Sequence, residues 1–217
     1  MTTCALVAAS DFNADHFAAM HALGAFDKVV AVDAGFAYLK ELDVRPDLAI
    51  GDFDSLGYVP KAKRVSQHPT HKDQSDLELA LERAATRDLD HLFIYGALGG
   101  RLDHTLANLQ LFAAYAERGL DITVIDMNSA LRVLVGPDAF ELPKLDHGIV
   151  SVFSAIDRAY GVSERGLEYP LDDAELTNRT SLGLSNELIG QEAAISVAEG
   201  TLYVFYPLVV PAPAPAV

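Results

Sequence analysis

Up to residue 129 the chain alternates short apolar runs with segments of helical period, and this pattern predicts a mostly parallel sheet covered by helices. The apolar runs of strand length are Ala5 to Ala9, Lys28 to Val32, Leu48 to Ile50, Leu92 to Tyr95 and Ile122 to Ile125. The predicted helices between them are Ala14 to Leu23, Phe36 to Leu42, Asp76 to Arg87 and Thr105 to Arg118. The last helix has an apolar face that contains Leu106, Leu109, Phe112, Ala113 and Ala116. We therefore predict an α/β domain over residues 1–129.

The pattern of residue types changes near Ser129. Beyond this point there are no long helical patterns, and short apolar runs are separated by Gly, Pro, Asp and Asn. This change predicts a second, all-β domain over residues 130–210. Its best strands are Ile149 to Phe153, Ala193 to Val197 and Leu202 to Tyr206, and we expect the last two to form a hairpin across Glu199 and Gly200. Residues 211–217 alternate Pro with Ala and predict a frayed tail.

Charge narrows the class of partner. The 217 residues are 50% hydrophobic and carry 16 Lys and Arg against 31 Asp and Glu, for a formal net charge of −15. Such a protein repels nucleic acids and anionic membranes, so we expect neither as a partner. A small anion such as ATP remains possible, because local cations can reverse the charge of a site. The opening residues lack a basic segment followed by a long apolar one, which predicts a cytoplasmic protein.

Two acids follow the predicted strand Leu48 to Ile50, in the segment Gly51-Asp52-Phe53-Asp54-Ser55. Asp52 and Asp54 are two residues apart, and carboxylates with this spacing project to the same side of an extended chain. The carboxyl end of a parallel strand is also where ligands bind in such sheets. The pair suits Mg²⁺, which prefers oxygen ligands. A turn is the alternative, since Asp, Gly and Ser are ordinary turn residues.

Further charged residues occupy equivalent positions along the chain. Asp33 follows the second strand, where an acid often contacts a nucleotide ribose, although it would also serve as a helix cap. Ser75 begins a capping box that places Asp76 in the first helical turn. Lys72 and Asp73 precede this cap and are not explained by it.

A glycine-rich segment, Gly96 to His104, follows the strand Leu92 to Tyr95 and opens the longest helix. Gly99 and Gly100 would let backbone N–H groups approach phosphate at the helix start. The segment matches neither a Walker loop nor a dinucleotide fingerprint, so glycine content alone indicates only a tight turn. Arg101 adds a donor for phosphate, and Asp103 is a candidate cap or metal ligand.

Six acids share one location, at or just beyond predicted strand ends or helix starts. They are Asp33, Asp52, Asp54, Asp73, Asp76 and Asp103. These positions converge on one edge of a parallel sheet, where bare carboxylates would repel one another. A divalent cation, together with Lys72 and Arg101, would neutralise them.

The chain resembles the thiamine pyrophosphokinase family over nearly its whole length. The resemblance rests on Asp33-Ala34-Gly35, Arg45-Pro46-Asp47, the Gly51 to Ser55 block, Lys72-Asp73-Gln74-Ser75-Asp76, Gly96 to Asn108, Gly166 to Leu171, Ser185-Asn186-Glu187 and Glu199 to Leu202. Two positions depart from the family pattern: Ala34 replaces a second glycine, and Ser75 replaces the commoner threonine.

The resemblance implies a Rossmann-like α/β catalytic domain with helices on both faces, a C-terminal β-sandwich that helps bind thiamine, and a homodimer with sites between subunits. It implies transfer of pyrophosphate from ATP to the thiamine hydroxyl, which releases AMP. A pyrophosphokinase for another alcohol, such as a pterin, and a non-catalytic thiamine or nucleotide sensor are the alternatives.

The resemblance also implies roles for particular residues. Asp52, Asp54 and Asp76 belong to the Mg²⁺–phosphate centre, with Asp76 our candidate to orient or deprotonate the attacking hydroxyl. The residues expected to contact the nucleotide are Asp33, Gly35, Lys72, Asp73, Ser75, Gly99, Gly100, Arg101 and Asp103. Ser185 and Asn186 match the motif at the thiamine pocket.

Overall fold

The computed structural model describes residues 2–87 and 89–209. Its chain divides into two compact units. The first contains the chain up to Leu111 and the segment Arg118–Met127, and the second contains Phe112–Glu117 and Asn128–Leu208. The Pro-Ala tail predicted for residues 211–217 lies outside the described residues.

A six-stranded parallel sheet forms the centre of the first unit. Its strands are β1 (Thr3–Val7), β2 (Lys28–Val32), β3 (Leu48–Gly51), β4 (Val65–Gln67), β5 (His91–Tyr95) and β6 (Asp121–Ile125). They lie in the order β6-β5-β1-β2-β3-β4, with parallel pairing throughout. The sequence predicted five of them. It missed β4, a three-residue strand at the edge of the sheet in which no residue is buried. The parallel order places the carboxyl ends of all six strands at one edge.

In the described part of the chain, four helices connect these strands: α1 (Ala14–Ala22), α2 (Gly35–Glu41), α3 (Asp76–Ala85) and α4 (Leu102–Ala116). The Asn13 side chain caps α1, and the Ser75 side chain accepts a hydrogen bond from the Glu78 N–H to cap α3, as the capping box predicted. Among the described residues, no helix is long and apolar enough to cross a membrane.

Helix α4 buries only part of its predicted apolar face. Phe112, Ala113 and Ala116 are buried, whereas Leu106 is 57% exposed. Leu102, at the start of the helix, is 82% exposed. The first turns of α4 therefore present two leucines to solvent.

Two antiparallel sheets make up the second unit. Its strands are β7 (Ser129–Val135), β8 (Asp138–Leu142), β9 (Ile149–Ser154), β10 (Arg158–Arg165), β11 (Leu171–Thr177), β12 (Asn186–Glu187), β13 (Ala193–Val197) and β14 (Thr201–Pro207). One sheet has the order β12-β9-β14-β7 and the other β11-β10-β13-β8. Alternate residues of both sheets, among them Val152, Val162, Ile195 and Val204, are fully buried in one hydrophobic cluster. The two sheets thus share a core.

The predicted hairpin between Ala193 to Val197 and Leu202 to Tyr206 is wrong. Strand β13 pairs with β8 and β10, whereas β14 pairs with β7 and β9, so the two strands belong to different sheets. Both strands point apolar side chains into the shared core from opposite sides, which pairing within one sheet would prevent. The chain crosses between the sheets at Gly200, whose φ of 103° lies in the left-handed region.

Candidate active site

Three aspartates meet at the carboxyl edge of the parallel sheet. Asp33 follows β2, Asp52 follows β3, and Asp76 is the first residue of α3. One carboxylate oxygen from each lies within 4.8 Å of the other two. These three residues are called the carboxylate cluster below. The cluster arises because parallel strands end at the same edge and because the Ser75 cap starts α3 beside them.

Lys72 lies among these carboxylates. Its Nζ donates to Asp52 Oδ2 at 3.1 Å and lies 3.1 Å from Asp76 Oδ1, while the three side chains are only 11 to 18% exposed. The second contact is an ion pair, so the buried Asp76 Oδ1 has Lys72 as its charged neighbour. One cation therefore offsets part of the negative charge of the cluster.

The protein environment shifts the pKa values of Asp52 and Asp76 in opposite directions. A hydrogen bond from the backbone N–H of Asp54 lowers the pKa of Asp52, and Lys72 adds to this effect against the cost of burial. Loss of solvent raises the pKa of Asp76, although Lys72 opposes the rise and the charges of Asp52 and Asp33 reinforce it. Burial would lower the pKa of Lys72, but its contacts with both aspartates outweigh burial and raise it. Asp76 is thus the more basic carboxylate.

The donor set of the cluster fits Mg²⁺. The three side chains of the cluster provide carboxylate oxygens, which are hard ligands. Mg²⁺ prefers such ligands and typically binds one or two carboxylates together with waters and substrate phosphates. Asp76 Oδ1 is buried beside Lys72 Nζ, so the cluster already contains one positive charge. Three carboxylates that share one lysine still carry net negative charge, which a divalent cation would neutralise.

Asp54 lies outside the carboxylate cluster. The chain turns at Phe53, which is 3% exposed and has a φ of 62°, so the strand alternation expected for Asp52 and Asp54 does not continue past Gly51. Asp52 points inward and Asp54 is exposed. The Ser55 hydroxyl lies 3.1 Å from both Asp33 Oδ2 and Asp54 Oδ1, so it links Asp54 to the edge of the cluster.

A cavity of about 550 Å³ opens beside the cluster in the first unit. Predicted site residues that line it are Asp33, Lys72, Ser75, Asp76, Gly99, Gly100 and Arg101. Two residues of α4 form hydrogen bonds with the loop that contains Gly99 and Gly100. The Thr105 hydroxyl donates to the Gly99 carbonyl, and the Asn108 side chain donates to the Ala97 carbonyl. Gly99 and Gly100 have φ values of 81° and 58°, which favour glycine.

Three further predicted nucleotide contacts, Gly35, Asp73 and Asp103, are not among the residues that line this cavity. Arg101 and Asp103 form a solvent-exposed pair through two hydrogen bonds of 3.1 and 2.5 Å, which lower the pKa of Asp103 to about 2. Asp73 is exposed. Gly35 has a packing role, since a Cβ there would lie 2.0 Å from the Val7 carbonyl oxygen.

Residues that the sequence did not single out also line this cavity. Ser10 and Asp11 follow β1, and a Cβ at Gly99 would lie 2.0 Å from Asp11 Oδ2. Tyr38 donates a hydrogen bond to the Ser10 carbonyl at 3.0 Å. The signal available in the sequence was their position, because Ser10 and Asp11 come shortly after the first strand and Asp33 comes directly after the second.

In the second unit, Asn186 is an interior residue. It is 4% exposed, and its amide donates to Glu164 Oε2 at 2.6 Å and to the Tyr169 carbonyl at 2.8 Å. Its side-chain oxygen accepts from the N–H groups of Tyr169 and Glu187, both at 2.9 Å. All the hydrogen-bonding capacity of Asn186 is therefore used within the protein.

Ser185 has the opposite environment. It is exposed and has a φ of 59°, which is unusual for serine, and its N–H donates to the Ser151 hydroxyl at 3.0 Å. The loop that precedes it exposes Leu182 and Leu184, while Tyr169 is 64% exposed. The Ser185 hydroxyl is thus available to a ligand next to apolar side chains.

Comparison with known proteins identifies the family. The chain matches a model of the thiamin pyrophosphokinase catalytic domain over residues 19–124 and one of the vitamin B1 binding domain over residues 141–202. It is 30% identical over 180 residues to thiamine pyrophosphokinase from Bacillus subtilis, which covers 80% of this chain and 84% of the relative. The chain belongs to the thiamin pyrophosphokinase family.

Solved structures of thiamin pyrophosphokinases agree with this assignment. The crystal structure of the Bacillus subtilis enzyme has a TM-score of 0.79 at 27% identity and covers 95% of this chain and 99% of that one. The Candida albicans thiamin pyrophosphokinase, at 14% identity and a TM-score of 0.74, shares the fold and covers 95% of this chain and 90% of its own. The catalytic-domain match contains the carboxylate cluster, and the vitamin B1 match contains Ser185 and Asn186.

The burial of Glu164 predicts that the stability of this member of the thiamin pyrophosphokinase family depends on pH. Its side chain is fully buried, Oε1 has no hydrogen-bond partner, and burial raises its pKa despite the hydrogen bond from Asn186. Because the folded protein holds the proton more tightly than the unfolded chain does, this carboxyl stabilises the fold fully below its unfolded pKa. That contribution is lost as the pH rises through the folded pKa.

We expect Glu164→Gln to become more stable than the natural protein as the pH rises from acid to neutral. The gain should reach about 2 kcal/mol, the scale of an unpaired buried polar group. Denaturant unfolding at several pH values measures it, with the exposed Glu168→Gln as the matched control. A difference between Glu164→Gln and the natural protein that does not change with pH would contradict the assignment.

Proposed function

We propose that this chain transfers the pyrophosphoryl group of ATP to the hydroxyl of thiamine, and that Mg²⁺ bound at the carboxylate cluster serves the reaction. The observation that carries the proposal is the group of Asp33, Asp52 and Asp76 beside a nucleotide-sized cavity, in a member of the thiamin pyrophosphokinase family. Asp33, Asp52 and Asp76 would hold Mg²⁺, which would offset the charge that develops on the ATP phosphates.

The residues of the chain would hold the nucleotide in place. Gly99 and Gly100 let the backbone approach phosphate at the start of α4, and Lys72 brings a positive charge to the same edge. Arg101 would donate to phosphate oxygens after exchanging its surface pair with Asp103 for the ligand, at little cost because the pair is exposed. Catalysis of this kind depends on positioning and charge neutralisation rather than on a covalent intermediate.

Asp76 is the residue we propose to orient the thiamine hydroxyl and to accept its proton. Its raised pKa makes it a better base than Asp52. Lys72 Nζ lies 3.1 Å from Asp76 Oδ1 and would restrain this carboxylate in one position.

The second unit, a β-sandwich, would supply thiamine recognition through Ser185. Asn186 is proposed as a positioning residue, because its side chain holds Tyr169, Glu187 and Glu164 instead of facing solvent. This arrangement fixes the backbone that carries the exposed Ser185 hydroxyl.

We also propose a homodimer with sites between subunits. Support comes from exposed leucines beside each predicted site: Leu102 and Leu106 follow Arg101 in the first unit, and Leu182 and Leu184 precede Ser185 in the second. Apolar side chains grouped in this way are typical of protein interfaces.

The nucleotide product tests the reaction. With ATP, Mg²⁺ and thiamine, we expect thiamine-dependent release of AMP, because a hydroxyl in line with the β-phosphorus displaces AMP. Anion-exchange chromatography resolves the products, with thiamine omitted as the control. Thiamine-dependent ADP would mean attack at the γ-phosphorus. AMP released only with a pterin alcohol would indicate the other pyrophosphokinase, and no turnover at all would indicate a sensor.

Substitutions at the acids test the metal assignment. Asp52→Asn and Asp76→Asn should each lower kcat/KM by about a hundredfold or more, since an amide is a weaker ligand for Mg²⁺ than a carboxylate. The kcat/KM values of Asp33→Asn and Asp54→Asn, measured in the same assay, determine which of these two acids is the third ligand of the metal. The exposed Asp157→Asn is the control. Wild-type turnover of Asp52→Asn and Asp76→Asn at limiting Mg²⁺ would exclude the carboxylate cluster as the metal site.

Removing the Ser185 hydroxyl tests thiamine recognition. Ser185→Ala should raise the KM for thiamine about three- to tenfold, the value of one hydrogen bond, while the KM for ATP stays unchanged. Ser181→Ala, an exposed serine in the same loop, is the matched control. Equal effects on both substrates, or an effect of Ser181→Ala as large as that of Ser185→Ala, would refute a direct contact.

A further inference from the structure

A second cavity, of about 360 Å³, lies in the first unit away from the carboxylate cluster. One wall is a row of cross-strand neighbours, Leu6, Val30 and Leu48, which share one register line of the parallel sheet. The other wall is formed by Ala80 and Ala84 of α3. All five side chains are less than 10% exposed. The cavity therefore has an apolar floor between the sheet and the second half of α3.

The rim of this cavity is strongly basic. Five cationic residues line it, namely Lys28, Lys63, Arg64, Arg83 and Arg87, together with one acid, Asp47. The whole chain has only 16 Lys and Arg and a net charge of −15, so almost a third of its cations surround one small cavity. Such a cluster of cations must be stabilised by neighbouring negative charge, either from the protein or from a bound anion.

Known partners account for only part of this charge. Asp47 is satisfied by Lys63 Nζ at 2.8 Å and by the Val29 N–H at 3.0 Å. Arg83 and Arg87 lie near the end of α3, whose dipole contributes about half a negative charge. These two features offset fewer than two of the five cations. Within residues 2–87 and 89–209, no ion pair is formed by the side chains of Arg64, Arg83 or Arg87.

An apolar floor with an unneutralised basic rim fits an amphipathic anion. The volume is near the lower end of the range for small-molecule sites. Arginine side chains suit the oxygens of phosphate, and several unpaired cations match a dianion better than a single carboxylate. We propose that this cavity is a second ligand site of the chain, which binds a small phosphorylated organic molecule with its apolar body against Leu6, Val30 and Leu48.

The site lies at the opposite end of α3 from the chemistry. Helix α3 has ten residues, which corresponds to about 15 Å, with Asp76 at its start and the arginines near its end. A ligand held at Arg83 and Arg87 would therefore not reach the carboxylate cluster. The two sites can be distinguished by substitutions at either end of the same helix.

Phenyl phosphate is a suitable probe because it combines a dianion with a small apolar ring. In isothermal titration calorimetry without Mg²⁺ we expect saturable binding of phenyl phosphate to the full chain. The affinity of the double variant Arg83→Gln and Arg87→Gln should be lower by about tenfold or more. Phenol, which lacks the charge, should bind much more weakly than phenyl phosphate. The double variant Lys144→Gln and Arg179→Gln removes the same charge from exposed positions of the second unit and should bind the probe as the natural chain does.

Three results would overturn the proposal. They are the absence of saturable binding, equal weakening by both double variants, and loss of binding in Arg101→Gln with retention in Arg83→Gln and Arg87→Gln. The last result would place the probe in the catalytic cavity. Thermal unfolding of each variant verifies that it is folded, and the single variant Arg83→Gln repeats the test with the smaller change.

Discussion

The mutual repulsion of three aspartates at the end of a parallel sheet is the constraint on which the site depends. Asp33, Asp52 and Asp76 have oxygens within 4.8 Å of one another, a distance at which unscreened carboxylates destabilise the fold. Lys72 reduces this repulsion with contacts of 3.1 Å to Asp52 and to Asp76, and the net negative charge that remains favours a further cation. The parallel order of the strands brings the acids together at one edge of the sheet.

Much of the first unit could be predicted from the sequence because its elements have strong local signals. Buried parallel strands are continuous apolar runs, and the Ser75 cap marked the start of α3. The second unit was harder to predict. Strand β10, Arg158–Arg165, buries only alternate residues, and β11, Leu171–Thr177, is mostly polar. The error over β13 and β14 has the same origin, because alternation reveals a strand but not which sheet it joins.

The site residues divide in a similar way. Position at a strand end or at a helix start predicted that Asp33, Asp52 and Asp76 lie at one edge of the sheet, where one oxygen of each lies within 4.8 Å of the other two. The separation of Asp54 from this group depends on the left-handed backbone of Phe53, which residue spacing does not reveal. Ser10 and Asp11 line the same cavity, but a serine and one acid after a strand resemble an ordinary turn. The internal bonding of Asn186 depends on Glu164, which is distant in sequence.

Phe53 has a consequence for how such motifs are transferred between proteins. Its buried ring anchors the loop, so that the acid before it faces the protein and the acid after it faces water. The two aspartates of the motif therefore have different environments, and the residue between them determines this difference. The Gly-Asp-Phe-Asp-Ser segment could be copied onto a strand of another protein that has no pocket for the aromatic ring. Both aspartates would then be exposed to solvent and would bind metal only weakly.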